Sequence, residues 1–292
     1  MSVYGLPPAQ PAAREGANTA SSLLAARGQR KIAMITAYDY PSALMVDAAG
    51  VDIVLVGDTF GMVVLGRCDT VSVTLAEVIH HTRAVIAGVS RALVVADMPF
   101  MTYEGGVAQA MENAAELVRA SGVRAVKMEG GKIIAPQVRA LVDAGIPVMG
   151  HIGLTPQRSA VLGGFKVQGK TAAAAEALAQ DALALQEAGC FCIVLEAIPP
   201  IVAERITARL RILTIGIGAG AACDGQVLVL HDMLGLTPAG PLPRFVRQYA
   251  HLAEDGRKAV ARYVQEVRDG SFPAAEHCYS MPEEEELALR GL

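Results

Sequence analysis

The chain has 292 residues, 52% hydrophobic and 18% charged, and a formal net charge of −4. This composition excludes a mostly disordered chain and supplies a large core, in one large domain or two ordinary ones. The mild charge leaves no electrostatic footprint for nucleic acid, and no basic run marks a membrane surface.

Residues 1–20 carry Pro7, Pro8 and Pro11 with little periodicity and read as a loose arm. "SSLLAARGQ" suits a short helix capped by Ser21 or Ser22. Short apolar runs then recur at "KIAMITAYD", "VDIVLVGD", "ALVVADMPF", "RAVKMEGG", "IPVMGHIGL", "CFCIVLEAIP", "RILTIGIGAG" and "QVLVLHDML". Each is a strand candidate with no wet face. Helix-compatible segments separate them, from "YPSALMVDAAG" through "TLAEVIHHTRAVIAG", "GVAQAMENAAELVRASG", "APQVRALVDAG" and "AAAAEALAQDALALQEAG" to "PPIVAERITARL". Gly50, Gly88, Gly122, Gly145 and Gly189 end five of these segments as C-cap glycines. Continuous apolar strands alternating with helices predict a parallel sheet covered by helices. Eight such units favour a closed (β/α)8 TIM barrel, here one domain over residues 21–280 with C-terminal helices in "PRFVRQYAHLAEDGRKAVARYVQEVRDG". An acidic tail, residues 281–292, reads as a solvated end.

The five cysteines, Cys68, Cys190, Cys192, Cys223 and Cys278, are too scattered for a disulfide framework. Cys190 and Cys192 would share one strand face as buried free thiols. No stretch of about 18 uncharged apolar residues predicts a membrane span, and the first residues lack a secretory apolar core. A cytoplasmic location is the default expectation.

In a parallel barrel, chemistry gathers at the carboxyl ends of the strands. Three consecutive strand candidates close on Asp58, Asp97 and Glu129. Neighbouring strands lie about 4.8 Å apart, so these carboxylates are expected to converge. Such acids repel one another, and a hard divalent cation with oxygen ligands, Mg2+ rather than Zn2+, relieves the repulsion. Lys127, two residues before Glu129 on the same face, offers a competing ion pair and suits an anionic substrate group. Glu196 ends an apolar run, as suits a proton acceptor working near neutrality, although a barrel Arg or Lys holding it is the plainer alternative. His151 is open to three readings: ligand, proton carrier or satisfied core histidine. "GIGAG" does not match the dinucleotide fingerprint, and His80 and His81, adjacent on a helix, read as surface histidines pointing apart.

The segments "AMITAYD", "VLVGDTFGMVVLG", "ADMPFMTYE", "VKMEGG", "PVMGHIGLTPQ", "GGFKVQGKT", "IVLEAIP" and "IGIGAGAACDGQVLVLHDMLG" run in order and resemble the ketopantoate hydroxymethyltransferase family from about Ser22 to His277. The resemblance implies a barrel of the phosphoenolpyruvate-binding type. It implies transfer of a hydroxymethyl group from 5,10-methylenetetrahydrofolate to 3-methyl-2-oxobutanoate, giving 2-dehydropantoate for pantothenate and coenzyme A synthesis through a metal-stabilised enolate. It carries Mg2+ ligation onto Asp58, Asp97 and Glu129, the general base onto Glu196, and 2-oxo acid binding onto Asp58, Thr59, Asp97, Lys127 and His151. A folate site near the barrel mouth and a homo-oligomer, commonly a decamer, are implied in the same way. The chain departs from the family pattern at Thr59 and Phe60, where a serine and a smaller apolar residue are usual, and at Ser72, where a proline is usual. Phe60 is expected to add bulk beside the metal and to bear on which 2-oxo acid is accepted. The weighed alternatives are a sister 2-oxo acid lyase or aldolase, whose K-[KR]-C-G-H-like loop is missing here, and a non-catalytic barrel.

Overall fold

The computed structural model describes residues 16–237 and 242–291. Residues 1–15 of the expected arm lie outside the described residues. The strands are β1 (Ile32–Thr36), β2 (Ile53–Val56), β3 (Leu93–Asp97), β4 (Ala125–Glu129), β5 (Val148–Gly153), β6 (Cys192–Glu196), β7 (Leu213–Ile217) and β8 (Gly225–Leu228). All pair in parallel and in chain order, and β8 returns to β1 to close the barrel. The helices are α1 (Ala20–Ala25), α2 (Tyr40–Ala48), α3 (Phe60–Val63), α4 (Leu75–Gly88), α5 (Val107–Ser121) and α6 (Ala135–Asp143). They continue as α7 (Ser159–Leu162), α8 (Ala172–Glu187), α9 (Pro200–Arg209), α10 (Leu230–Met233), α11 (Leu252–Asp269) and α12 (Glu283–Arg290).

Strand periodicity divides the core in two. Ile53, Leu55, Leu93, Val95, Ala125, Met149, Cys192 and Val194 fill the barrel interior, joined by Leu23 of α1 and Phe191. The alternate residues Val54, Val56, Val94, Ala96, Val126 and Ile193 pack outward under the helices. Two steps along the interior rows come Asp97, Lys127, Glu129, His151 and Glu196. The polar strand ends are therefore the last members of the rows that fill the barrel.

Several local expectations change. Thr19, not Ser21 or Ser22, caps α1, and Ser22 bonds back to Thr19 as the other half of a capping box. Gly50, Gly122, Gly145 and Gly189 take left-handed backbone past their helices. Gly88 does not: it is the last residue of α4, and a Cβ there would lie 2.8 Å from the Tyr40 carbonyl and 2.9 Å from the Ala43 Cβ. Its small size, not its φ, serves the approach of α4 to α2. Cys190 precedes β6 and packs under the helices, whereas Cys192 faces the interior, so the two do not share a face. Both are buried free thiols. After β8, the helix expected from Pro243 begins only at Leu252, and the acidic tail forms α12, whose four glutamates occupy its first turn. No helix among the described residues is long and apolar enough to cross a membrane.

Candidate active site

The carboxyl ends of the strands open into a cavity of about 1120 Å³. Its floor includes Thr36, Leu55, Val194 and Val227, and its wall carries Asp58, Asp97, Lys127, Glu129, His151 and Glu196. Register explains how these meet. Asp97 of β3 pairs laterally with Lys127 of β4, and Glu129 of β4 with His151 of β5.

Asp58 follows the turn at Gly57. Its backbone N–H donates to Asp97 Oδ2 at 3.0 Å, and its own Oδ2 accepts from Gln157 Nε2 at 2.8 Å. Burial pushes Asp58 well above the usual carboxylate range, and the charges of Asp97 and Glu129 add to the effect. Asp97 is also raised, by burial in the first place, although Lys127 Nζ lies 2.8 Å from its Oδ1. Lys127 stays a cation: burial opposes its charge, but Asp97, Glu129 and Asp58 outweigh burial and raise it.

Glu129 behaves differently. Burial alone would raise it, but His151, Lys127 and the Gln157 N–H hold it below its ordinary value. His151 Nδ1 lies 3.2 Å from Glu129 Oε1, and the Gln157 N–H donates to Glu129 Oε2 at 3.0 Å. The other ring nitrogen, His151 Nε2, lies 3.2 Å from Glu196 Oε2. Burial and Lys127 work against a proton on His151, yet Glu129 and Glu196 overcome them and push it up to about 9. His151 thus stands between two carboxylates, and among the described residues neither an Arg nor a Lys is paired with Glu196. Beyond Glu196 the backbone turns sharply, with Ala197 in the left-handed region at φ 47°.

The sequence-selected residues do come together, with two differences. Asp58 and Asp97 meet directly, but Glu129 is turned to His151 and Gln157, and among the described residues no three His, Cys, Asp or Glu side chains stand grouped as a ready metal site. Thr59 lines the cavity, but Phe60 is fully buried, with its ring against His81 at 4.2 Å and Tyr38 at 6.1 Å. Helix α3 begins at Phe60 and turns it into the outer core, so its bulk does not reach the substrate space. His80 is exposed as expected, whereas His81 is half-buried, and its Nδ1 lies 2.7 Å from the Tyr38 carbonyl.

Sequence reasoning missed Tyr103, in a loop after β3, and Gln157, in a single 3-10 turn after β5; neither carries a charge. Both fall within quoted motifs, "ADMPFMTYE" and "PVMGHIGLTPQ", and that position just past a polar strand end was the available signal.

The family profile described as "Ketopantoate hydroxymethyltransferase" matches residues 17–275. The chain belongs to this family. The 3-methyl-2-oxobutanoate hydroxymethyltransferase of Nitratidesulfovibrio vulgaris (strain Hildenborough) is 66% identical over 264 residues, 90% of this chain and 85% of the relative. The enzyme of the same description from Oleidesulfovibrio alaskensis is 63% identical over 268 residues, 92% of each chain. The chain is accordingly a hydroxymethyl-transferring enzyme of the pantothenate pathway, not a lyase or a non-catalytic barrel. Among solved structures, phosphonopyruvate hydrolase superposes with a TM-score of 0.58 at 14% identity, covering 93% of this chain and 94% of its own. A 2,3-dimethylmalate lyase of the PEP mutase/isocitrate lyase superfamily gives 0.54 at 16%, covering 93% and 92%. At such identities the likeness shows the shared barrel fold alone.

Proposed function

We propose that this hydroxymethyltransferase moves the one-carbon unit of 5,10-methylenetetrahydrofolate onto C3 of 3-methyl-2-oxobutanoate, with Mg2+ as its cation. The observation that carries this reading is the meeting of Asp58, Asp97, Lys127, Glu129, His151 and Glu196 in one cavity of a chain from this family. The residues fit a hard divalent cation. The strand ends bring the buried carboxylates of Asp58, Asp97 and Glu129 beside the single ammonium of Lys127, and a divalent ion would offset their mutual repulsion. Among the described residues, the buried Asp97 Oδ1 meets only the Lys127 ammonium, at 2.8 Å. All-oxygen donors suit Mg2+. Asp58, Asp97 and Glu129 are the residues that would hold it. When bound, Mg2+ supplies Lewis-acid polarisation of the 2-oxo group.

The chain's own groups do the rest. Lys127 offers its ammonium to the substrate carboxylate, beside Asp58, Thr59 and Asp97. Glu196 removes the proton from C3, the carbon next to the carbonyl. His151, protonated and set against Glu196 Oε2, orients that carboxylate. The carbon nucleophile then bonds to the folate methylene, both methylene C–N bonds break, and a water molecule supplies the hydroxyl of the product. The proton taken from C3 and one from that water restore the two N–H groups of tetrahydrofolate. The buried walls exclude water from the basic carbon while it lasts.

Purified protein given Mg2+, 3-methyl-2-oxobutanoate and 5,10-methylenetetrahydrofolate is expected to form 2-dehydropantoate, read by mass spectrometry. Absence of that product, with the protein folded and the folate intact, rejects the substrate assignment. We also propose that the chain assembles as a homo-oligomer, a decamer. Val260, Tyr263 and Val267 of α11 are all exposed in the single chain, and covering them favours association. Light scattering is expected to give about ten times the 30.5 kDa chain mass; a monomer rejects the proposal.

A further inference from the structure

We infer that Gln157, held in turn by Tyr103, is the positioning residue that fixes Asp58 and Glu129 for cation binding, a role that rests on the Mg2+ reading above. Gln157 stands beyond β5 and is 3% exposed. Its polar groups are spent on the neighbouring strand ends. The side-chain Nε2 donates to Asp58 Oδ2 at 2.8 Å and to the Met98 carbonyl at 3.0 Å. The backbone N–H donates to Glu129 Oε2 at 3.0 Å. The side-chain Oε1 accepts from the Tyr103 hydroxyl at 2.6 Å. One residue beyond β5 therefore ties together the ends of β2, β3 and β4.

Tyr103 sets which way the amide faces. Its oxygen accepts the Glu129 N–H at 3.1 Å, and its proton goes to Gln157 Oε1 at 2.6 Å, the shorter of two acceptors, the Glu129 carbonyl lying at 3.2 Å. An amide with a donor on one side and two acceptors on the other has a single satisfied orientation. The links run in one direction, from Glu129 N–H through Tyr103 O–H and the Gln157 amide to Asp58. Bonds aligned in this way strengthen one another in a water-poor site.

The choice of a neutral amide matters. Asp97 already faces the Lys127 ammonium. A second cation on Asp58 would cancel the charge that a metal needs. An apolar residue would leave the Asp58 carboxylate with no hydrogen-bond donor among the described residues. Glutamine orients the carboxylate and leaves its charge intact. The turn of Glu129 follows from the backbone N–H of the same residue, a contact that other side chains at this position would keep.

The test uses the purified full chain and Mn2+ as probe, with the free ion measured by electron paramagnetic resonance and no substrate present. Removing a group that orients a metal ligand weakens metal affinity by about 10–100-fold, and that loss is expected for Gln157→Leu. Tyr103→Phe is expected to weaken Mn2+ binding by about 3–10-fold, because the amide survives but loses its orientation. The double variant is expected to bind no more weakly than Gln157→Leu alone, since the tyrosine acts through the glutamine. A folded Gln157→Leu protein that binds Mn2+ within about twofold of wild type overturns the role. If Gln157→Leu does not fold, Tyr103→Phe within about twofold of wild type overturns it equally. Independent, additive losses in the double variant also overturn it. Wild-type protein that takes up no Mn2+ overturns the metal reading and this role together, an outcome distinct from an unaffected variant.

Discussion

Glu196 closes β6 in the interior row of Cys192 and Val194, with an imidazolium at its oxygen where a plain reading expects an Arg or Lys. That contact suits a group that takes and returns a proton, because His151 holds the carboxylate in place without a guanidinium fork. Glu196→Gln keeps the shape and removes the basicity. Solvent deuterium exchange at C3 of 3-methyl-2-oxobutanoate, followed by NMR with Mg2+ and without folate, is expected to slow by about 10²–10⁴-fold. Exchange at the wild-type rate removes Glu196 from the role of base. At this scale the acids, Lys127 and His151 were readable from their places at strand ends. Which groups His151 meets was not, because that depends on its lateral neighbours, Glu129 and Glu196.

Helix α2 shows how an element far from the chemistry holds a strand in line. Asp47, near its carboxyl end, accepts from the backbone N–H groups of Ser90, Arg91 and Ala92 and from the Ser90 hydroxyl. These are the residues that lead into β3, whose other end is Asp97. Burial alone would raise Asp47, but the donated hydrogen bonds outweigh it and leave the group below its ordinary value of 3.8. Hydrogen bonds to a charged group contribute about 1.5–3 kcal/mol each, so Asp47→Asn, which keeps one acceptor oxygen, is expected to cost about 2 kcal/mol near neutral pH. The sign with pH follows from the depressed value. The stabilisation is fully present above the unfolded carboxylate value and is lost as pH falls through the lower folded one. Urea unfolding of wild type and variant is expected to show a gap at pH 7 that closes in acid; a gap unchanged with pH rules this account out. Periodicity placed both elements in the chain, but the Asp47 clamp and the tight contact at Gly88 appear only once α2 and α4 lie side by side.

For the whole molecule, a cation held at Asp58, Asp97 and Glu129 as proposed would couple to the barrel's stability. A ligand bound only by the folded state, at about 100 times its dissociation constant, stabilises by about 2.7 kcal/mol. For a chain of this size that raises the melting temperature by roughly 4 °C. Differential scanning fluorimetry in excess Mg2+ against excess chelator is expected to show this rise. It is expected to vanish in Asp97→Ala, whose carboxylate is gone. Equal melting temperatures in wild type argue against a site at Asp58 and Asp97.

The sequence by itself determined the barrel and the location of its chemistry. Eight apolar runs separated by helical segments admit few other closed arrangements, and a period of two places Asp97, Lys127, Glu129 and Glu196 in the rows that fill the interior. Tertiary structure decided which atoms meet. Phe60 faces outward because a short helix starts there, a turn that strand periodicity does not carry past Val56. Glu129 turns to His151 because the lateral register of β4 and β5 sets them side by side. Gln157 reaches Asp58 across 99 residues of chain, through a loop path that no local pattern specifies. Local periodicity selects a face; the partners on that face depend on register and loop return, which are settled only when the barrel closes.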